Sequence, residues 1–353
     1  MKLQDLGYND IHEVYRKSNN LNDYTIGRII AEHKERYIVR TENKELEAEI
    51  TGNLRFSASS REDFPAVGDW VALTVYEPEF CIIHKIFPRF SIISRQDISR
   101  SSEIQIIATN VDFAFLVQAV DRDFNINRLE RYLTICYSAK VKPIIVLTKT
   151  DLINVETILK IKDTINQRIQ DIPVIAISNT THEGVNELTQ LIEKGKTYCI
   201  LGSSGVGKSS LTNNLKGENI MQTNTISTST NKGRHVTTHR ELIILENGGI
   251  LIDNPGMREV GVTDVSEGLA MTFDSIYEYA IKCKYKDCTH TNEKNCAVIQ
   301  AVKDGLIDKN SYANYLKMNK EKEFFESSVA ERRKKDKEFG KMLKNYNKNR
   351  TNY

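Results

Sequence analysis

The stretch Gly202-Ser203-Ser204-Gly205-Val206-Gly207-Lys208-Ser209 fits the spacing G-x-x-x-x-G-K-[ST]. It follows the short apolar run Tyr198-Cys199-Ile200-Leu201 and opens a helical pattern from Ser209 to Leu215, with Ser210 in its first turn. That strand–loop–helix setting is what the spacing needs in order to hold phosphate. The glycines let the backbone wrap an anion with its N–H groups pointing inward, and the helix start adds the positive end of its dipole. Lys208 is then placed to reach β- and γ-phosphates, and the Ser209 hydroxyl to bind Mg²⁺. A chance glycine-rich turn would not require the full pattern in this setting.

A phosphate loop does not name the base. Thr148-Lys149-Thr150-Asp151 follows the apolar run Ile144–Leu147. A carboxylate at Asp151 can accept from both N1–H and the N2 amino group of guanine, and adenine presents no such pair of donors. The Lys149 stem is expected along the base face. Ser178-Asn179-Thr180, closing the next strand, is expected to bring backbone amides near the guanine oxygen. Alone, Thr148–Asp151 would read as a polar turn with Asp as a helix cap. At the C-terminal end of a strand, beside the other loops, it lies where open α/β sheets bind ligands.

Two further stretches complete a nucleotide set. Asp253-Asn254-Pro255-Gly256 closes the strand Ile250–Ile252. Asp253 is expected to hold Mg²⁺ through water, and the Gly256 amide to sense the γ-phosphate. Gly233-Arg234-His235-Val236-Thr237-Thr238 lies in the long polar stretch 219–238, which reads as a switch loop whose Thr237 or Thr238 meets Mg²⁺. Ras-type enzymes place a water-orienting Gln just after Asp-x-x-Gly, whereas Met257 stands there in this chain. Intrinsic hydrolysis should be slow, with the group supplied by His235 or by RNA. The candidate catalytic residues are therefore His235, Lys208 and Thr238.

Cys283, Cys288, His290 and Cys296 form C-x4-C-x-H-x5-C. Three thiolates and an imidazole within so short a polar segment suit tetrahedral Zn²⁺, and four protein ligands make the site structural. Lys282, Lys284, Lys286 and Lys294 beside it could favour phosphate contacts.

These residues need elements to carry them. From Tyr24 to about Arg95, runs such as Tyr24–Ile30, Arg36–Val39, Asp69–Val75 and Cys81–Ile83 alternate with turn residues, which predicts a small all-β barrel of the oligonucleotide-binding type. An SH3-like barrel would read similarly. Arg28, Arg36, Arg40, Lys44, Arg55 and Arg61, with Tyr37 and Phe56 as stacking groups, make nucleic acid a candidate ligand of that barrel, against a reading as a solvated face with acidic neighbours. Residues 1–22 read as a loosely held polar arm. After a polar link at 96–102 the pattern becomes strand–helix alternation, with helices predicted over 126–139, 155–168 and 184–193 and a hairpin at Asn247-Gly248-Gly249. From Thr263 the chain reads as helical and polar, and from Lys317 onward it carries twelve basic and six acidic residues. A basic helix of this kind can track phosphates, or be a solvated face only. The expected units are 1–95, 96–262 and 263–353.

The order of the nucleotide motifs is unusual. The base-reading stretches 148–151 and 178–180 precede the phosphate loop, the reverse of Ras-like proteins. This is a circular permutation of a GTPase fold, which preserves the sheet while moving the chain ends. It also joins the strand of Asp253 directly to the C-terminal part, so motion of residues 253–258 should be felt in 263–353.

The chain has 353 residues and a net charge of +2, so composition favours no charged partner and any nucleic-acid surface must be a local patch. Met1–Asp10 lacks the apolar core of a secretory signal, and no run approaches the ~18 apolar residues of a membrane span. A cytoplasmic protein with no membrane contact is expected. Cys81, Cys136 and Cys199 lie in apolar runs and read as small buried hydrophobes.

Together these motifs resemble the RsgA family of ribosome small subunit-dependent GTPases, over nearly the whole chain. Pro65-Ala66-Val67-Gly68-Asp69-Trp70-Val71 and Asp253-Asn254-Pro255-Gly256-Met257-Arg258-Glu259 are similar to that family's barrel and switch sequences. The resemblance implies a late assembly factor of the 30S subunit that contacts 16S rRNA, binds GTP and GDP with Mg²⁺ and one structural Zn²⁺, and leaves on hydrolysis; a monomer is expected. Two positions depart from the family pattern. Thr148 stands where an Asn usually ties the base loop to the phosphate loop, and Val236 replaces the first Thr of G-R-H-T-T-T. The alternative function is a non-catalytic RNA-binding assembly scaffold in which hydrolysis is incidental. An ATP-dependent kinase is disfavoured by Asp151.

Overall fold

The computed structural model describes residues 1–33, 36–96, 104–121, 124–217, 241–253 and 265–323. His235, Thr237 and Thr238 of the expected switch loop, Gly256 and Met257, and the basic segment beyond 323 lie outside the described residues.

A short helix α1 (Asp10–Ser18) precedes strands β1 (Thr25–His33), β2 (Arg36–Arg40) and β3 (Glu45–Ile50), helix α2 (Gly52–Ser57), and strands β4 (Trp70–Glu77) and β5 (Phe80–Ile86). The pairing order β1-β2-β3-β5-β4, closed by β4 against β1, makes a five-stranded barrel of the oligonucleotide-binding type. Its core is Ile29, Val39, Leu46, Val71, Leu73 and Ile83. Strand β3 turns Leu46, Ala48 and Ile50 inward and alternates them with three glutamates, the pattern of a half-buried strand.

The expected barrel ligands are only partly available. Arg28 is 1 % exposed and Tyr37 3 % exposed, so neither can face RNA. Arg36 pairs with Glu47 and Glu49, Arg40 with Glu45, and Arg61 with Glu32. Phe56, the other expected stacking group, is 92 % exposed.

Arg28 serves the fold instead. Its guanidinium donates to Leu6 O at 2.5 Å, Gly68 O at 3.1 Å and Asn110 O at 3.1 Å. One side chain thereby joins the N-terminal segment, the barrel and the entry to the next sheet. Residues 1–22 are correspondingly not a loose arm. Leu6, Tyr8 and Leu21 are buried with Trp70 and Phe87, and His12 lies against Tyr8 and Trp70. The amphipathic spacing of Tyr8, His12 and Tyr15, among polar residues, is the signal that composition concealed.

Strands β6 (Ile92–Gln96) and β7 (Ile104–Thr109) pair antiparallel across the expected polar link. Then come β8 (Phe113–Ala119), α3 (Ile126–Ser138), β9 (Lys142–Thr148), α4 (Val155–Arg168), β10 (Val174–Ala176), α5 (Val185–Gln190), β11 (Thr197–Leu201), α6 (Lys208–Lys216), β12 (Glu241–Ile244) and β13 (Ile250–Asp253). Strands β10, β9, β8, β11 and β13 are parallel, and β12 pairs antiparallel to β13 as the hairpin turn predicts. Leu129 of α3 and Ile165 of α4 pack on one face, and Val185, Leu188, Leu211 and Leu215 of α5 and α6 on the other. Burial on both faces explains the unbroken apolar runs of β8, β9 and β11. Strand β12 also meets β1, with Ala31 opposite Glu241, so barrel and parallel sheet form one continuous ladder among the described residues.

Helices α7 (Ser266–Thr272), α8 (Asp274–Ala280) and α9 (Ala297–Lys303) and a helix over 309–323 make the C-terminal part. It has its own core, including Leu269, Phe273, Ile276, Val298, Ile307 and Met318. It rests on α3. Gly268 lies so close that a Cβ would fall 2.1 Å from Thr134 O, and Arg131 forks onto Glu321 at 2.8 and 2.6 Å. No helix of the described residues is long and apolar enough to cross a membrane.

Candidate guanine-nucleotide site and metal centre

The chain runs outward from β8 through β9 to β10, then returns to β11 on the other side of β8. The sheet therefore has its switch point between β8 and β11, where a crevice opens at the strands' C-terminal ends. Every described nucleotide motif lies on that edge: Thr148 ends β9, Ser178 follows β10, Gly202 follows β11, and Asp253 ends β13.

The phosphate loop joins β11 to α6 as the spacing predicts. Lys208 Nζ donates to Gly202 O at 2.7 Å and Ser203 O at 2.5 Å, so the ammonium lies folded across the loop. Desolvation pulls its pKa down to about 8, against the pull of the Asp253 carboxylate in the other direction. That electrostatic coupling brings the two ends of the expected Mg²⁺–phosphate site into one field. Ser204, Gly205 and Ser209 are exposed, open to a ligand, while Val206 is buried and anchors the loop.

The base loops converge on the same place. Asp151 is exposed, and Ser178 Oγ donates to its Oδ1 at 2.6 Å. Ser178 Oγ in turn accepts from the backbone N–H of Thr180 and Thr181, at 3.2 and 3.0 Å. The Thr180 amide is thus one of two that hold the Ser178 hydroxyl against Asp151. Asp151 keeps acceptor capacity for two adjacent donors. Lys149, with its backbone in the left-handed region at φ 62°, sends its ammonium to Asp121 Oδ2 at 2.7 Å. Asp121 had no motif to flag it; only the fold brings the end of β8 beside the end of β9.

Thr148, fully buried, does not leave its loop untied: its Oγ1 lies 2.6 Å from Val206 O. Asn179 Nδ2 donates to Gly207 O at 3.1 Å. Loops encoded upstream of the phosphate loop therefore grip it directly.

A family model described as RsgA GTPase matches residues 86–263, about half of the chain. A protein of Bacteroides thetaiotaomicron named small ribosomal subunit biogenesis GTPase RsgA 1 is 37% identical over 98% of this chain and 97% of its own length. The chain belongs to the RsgA GTPase family. The RsgA 2 protein of Lactiplantibacillus plantarum is 42% identical over 85% of this chain and 84% of its own. The crystal structure of YjeQ from Thermotoga maritima aligns with a TM-score of 0.63 over 83% of this chain and 96% of that one, at 24% identity. YloQ, described as a circularly permuted GTPase, aligns with a TM-score of 0.58 over 88% and 96%, at 26% identity. A further model, described as a 50S ribosome-binding GTPase, matches 197–344. That match begins at β11, downstream of Thr148–Asp151 and Ser178–Thr180.

The chain also carries a metal-type cluster. The ligand atoms of Cys283, Cys288, His290 and Cys296 all lie within 4.8 Å of one another. Cys283 and Cys296 sulfurs are 3.8 Å apart, and His290 Nδ1 is 3.6 and 3.4 Å from them. Zn–S bonds of about 2.3 Å and Zn–N bonds of about 2.0–2.1 Å at tetrahedral angles give edges of about 3.8 and 3.5 Å. The set fits one zinc. The thiols crowd one another. Desolvation first, then Cys296 and Cys283, pushes Cys288 up to about 12, and a central cation would reverse that. Burial lowers His290, keeping the imidazole neutral as a ligand must be. Cys81, Cys136 and Cys199 are fully buried, as their apolar surroundings predict.

Proposed function

We propose that this chain is a GTP hydrolase of the cytoplasm that acts late in maturation of the 30S ribosomal subunit, binding 16S rRNA and leaving when GTP is cleaved. The observation that carries this reading is the convergence of Thr148, Asp151, Ser178 and Asn179 with Gly202–Ser210 and Asp253 on one sheet edge. The names of its relatives, small ribosomal subunit biogenesis GTPases, supply the partner.

On this reading Asp151 reads N1–H and N2 of guanine, and Lys149 lies along the base. The N–H groups of Ser203–Ser209 hold the phosphates, and Lys208 leaves its loop carbonyls for the phosphate oxygens. Ser209 and Asp253, with Thr237 or Thr238, are the residues that would hold Mg²⁺, which supplies charge neutralisation on the phosphates when bound. His235 orients water in place of the Gln that Met257 displaces. Cys283, Cys288, His290 and Cys296 hold one structural zinc. Residues 1–95, 96–262 and 263–353 act as the three working units of a monomer. GTP turnover measured with and without purified 30S subunits tests the proposal. Clear stimulation is expected; equal rates would reject the ribosome as the activating partner.

A further inference from the structure

The two base loops touch the phosphate loop at adjacent peptide groups. Thr148 Oγ1 lies 2.6 Å from Val206 O and 3.3 Å from Gln118 O. A hydroxyl has one proton, and the shorter contact takes it. Asn179 Nδ2 donates to Gly207 O at 3.1 Å. Asn214, on α6, holds Asn179 from the other side, its Nδ2 donating to the backbone O at 3.1 Å and to Oδ1 at 3.2 Å. These partners fix the Asn179 amide with nitrogen toward Gly207 and oxygen toward Asn214.

The C=O and N–H of one trans peptide point in opposite directions. The peptide that carries Val206 O also carries the N–H of Gly207, and the one that carries Gly207 O carries the N–H of Lys208. Pinning both oxygens from the base side therefore turns both N–H groups the other way. In a phosphate loop, backbone N–H groups are what cradle the anion. Gly207 permits the close approach: its φ is 91°, and a Cβ there would fall 2.8 Å from Asn179 Nδ2.

We infer that Thr148, Asn179 and Asn214 are positioning residues for phosphate capture, aiming the Gly207 and Lys208 N–H groups from the base side. The inference rests on the guanine-nucleotide reading of the site. The tie usually made by one Asn at the position of Thr148 is shared here by two side chains from two loops. Asn214 acts only through Asn179.

The test compares GDP with guanosine, which engages the base loops but has no phosphate. Wild type, Thr148→Val, Thr148→Ser and Asn214→Ala are titrated by competition against a fluorescent GDP analogue. Thr148→Val and Asn214→Ala should each lose about tenfold in GDP affinity, the worth of one hydrogen bond. Their guanosine affinity should stay within about twofold, on the same scale. Thr148→Ser, which keeps the hydroxyl, should bind GDP as wild type does. Equal losses for guanosine and GDP would overturn the inference, because the residues would then be shaping the base pocket. GDP affinity unchanged in both Thr148→Val and Asn214→Ala would overturn it as well. If Thr148→Val fails to fold by thermal melting, Asn214→Ala decides alone. Wild-type protein that binds GDP no better than ADP would instead sink the guanine reading, and the brace with it.

Discussion

Glu130 and Asn314 meet across the seam between the nucleotide-binding sheet and the C-terminal helices, with Asn314 Nδ2 donating to Glu130 Oε2 at 2.6 Å. Glu130 is 1 % exposed, and its Oε1 accepts from Arg168 Nη2 at 2.6 Å and from Ser311 Oγ at 3.1 Å. Removing one partner of a buried charged pair typically costs about 3–5 kcal/mol, because the other charge stays buried. Glu130→Ala should lose stability on that scale, with residues 265–323 opening to hydrogen exchange ahead of the sheet. Urea titration and exchange mass spectrometry check it. Unchanged protection of 265–323 would mean that the packing of α7 on α3 and the Arg131–Glu321 pair hold the seam without Glu130.

His12 predicts an acid weakness. It is 4 % exposed, and its Nδ1 accepts from the Asn9 N–H at 3.2 Å. Burial first, and the nearby Arg28 charge second, lower its pKa from 6.5 to about 4, while Asp112 pulls the other way. The unfolded chain therefore binds a proton that the folded chain refuses between about pH 6.5 and about 4. Stability is retained above this window and lost as pH falls through it, by roughly 2 kcal/mol after discounting for partial solvation. His12→Phe cannot titrate there. The difference in urea midpoint between near pH 7 and near pH 5 should shrink in that variant; an identical difference would clear His12 of the effect.

Metal removal should act on the C-terminal part first. Cys296 both joins the ligand cluster and caps α9, accepting from the Ile299 N–H at 3.5 Å. It also lies in the core with Val298 and Ile307. Metal analysis should find one zinc per chain, and Cys288→Ser should lose it. Chelation should lower the melting point of the helices while leaving GDP binding at the sheet edge largely intact. Wild-type protein purified without zinc, and as stable as before chelation, would defeat the assignment.

Much of this site was readable from spacing. The phosphate-loop pattern, Asp151 and the cysteine cluster each encode their chemistry in a few contiguous residues, and the structure brings them where the spacing requires. Arg28 and Tyr37 misled, because residue type does not tell which face of a strand points inward. Tyr37 lies in β2 between exposed Arg36 and half-buried Ile38, whereas β1 is buried on both sides from Ile26 to Ala31. Asp121, Asn214 and the Thr148–Val206 contact were invisible for another reason. Each pairs residues tens of positions apart: the β8–β9 pairing brings Asp121 to Lys149, and the return of β11 to the flank of β8 brings the other two together. The tie that Thr148 seemed to have lost survives because a hydroxyl at the buried strand end reaches the same loop.

His235 is expected to carry stimulated turnover. The position after Asp-x-x-Gly holds Met257, whose thioether is too weak an acceptor to orient water. An imidazole in the preceding loop can do so, and loss of such a group typically costs about a hundredfold or more. His235→Ala should therefore abolish the 30S-dependent increment in GTP hydrolysis while sparing GTP affinity. Stimulation that survives the substitution would hand the role to RNA.

Lys208 separates a timer from a scaffold. Its ammonium feels the Asp253 carboxylate, and burial lowers its pKa to about 8, so it is mostly protonated near pH 7 and neutralises above about 8. GTP affinity should accordingly weaken as pH rises above that value, because bound phosphate holds on a proton that the free protein gives up. Lys208→Ala removes the charge at every pH and should cut hydrolysis by about 10²–10³, the usual effect of deleting a transition-state donor. If cleavage times departure, Lys208→Ala protein loaded on 30S subunits with GTP should remain bound after wild type has left, as sedimentation would reveal. Release at the wild-type rate would mean that hydrolysis is incidental and that the chain works by binding alone.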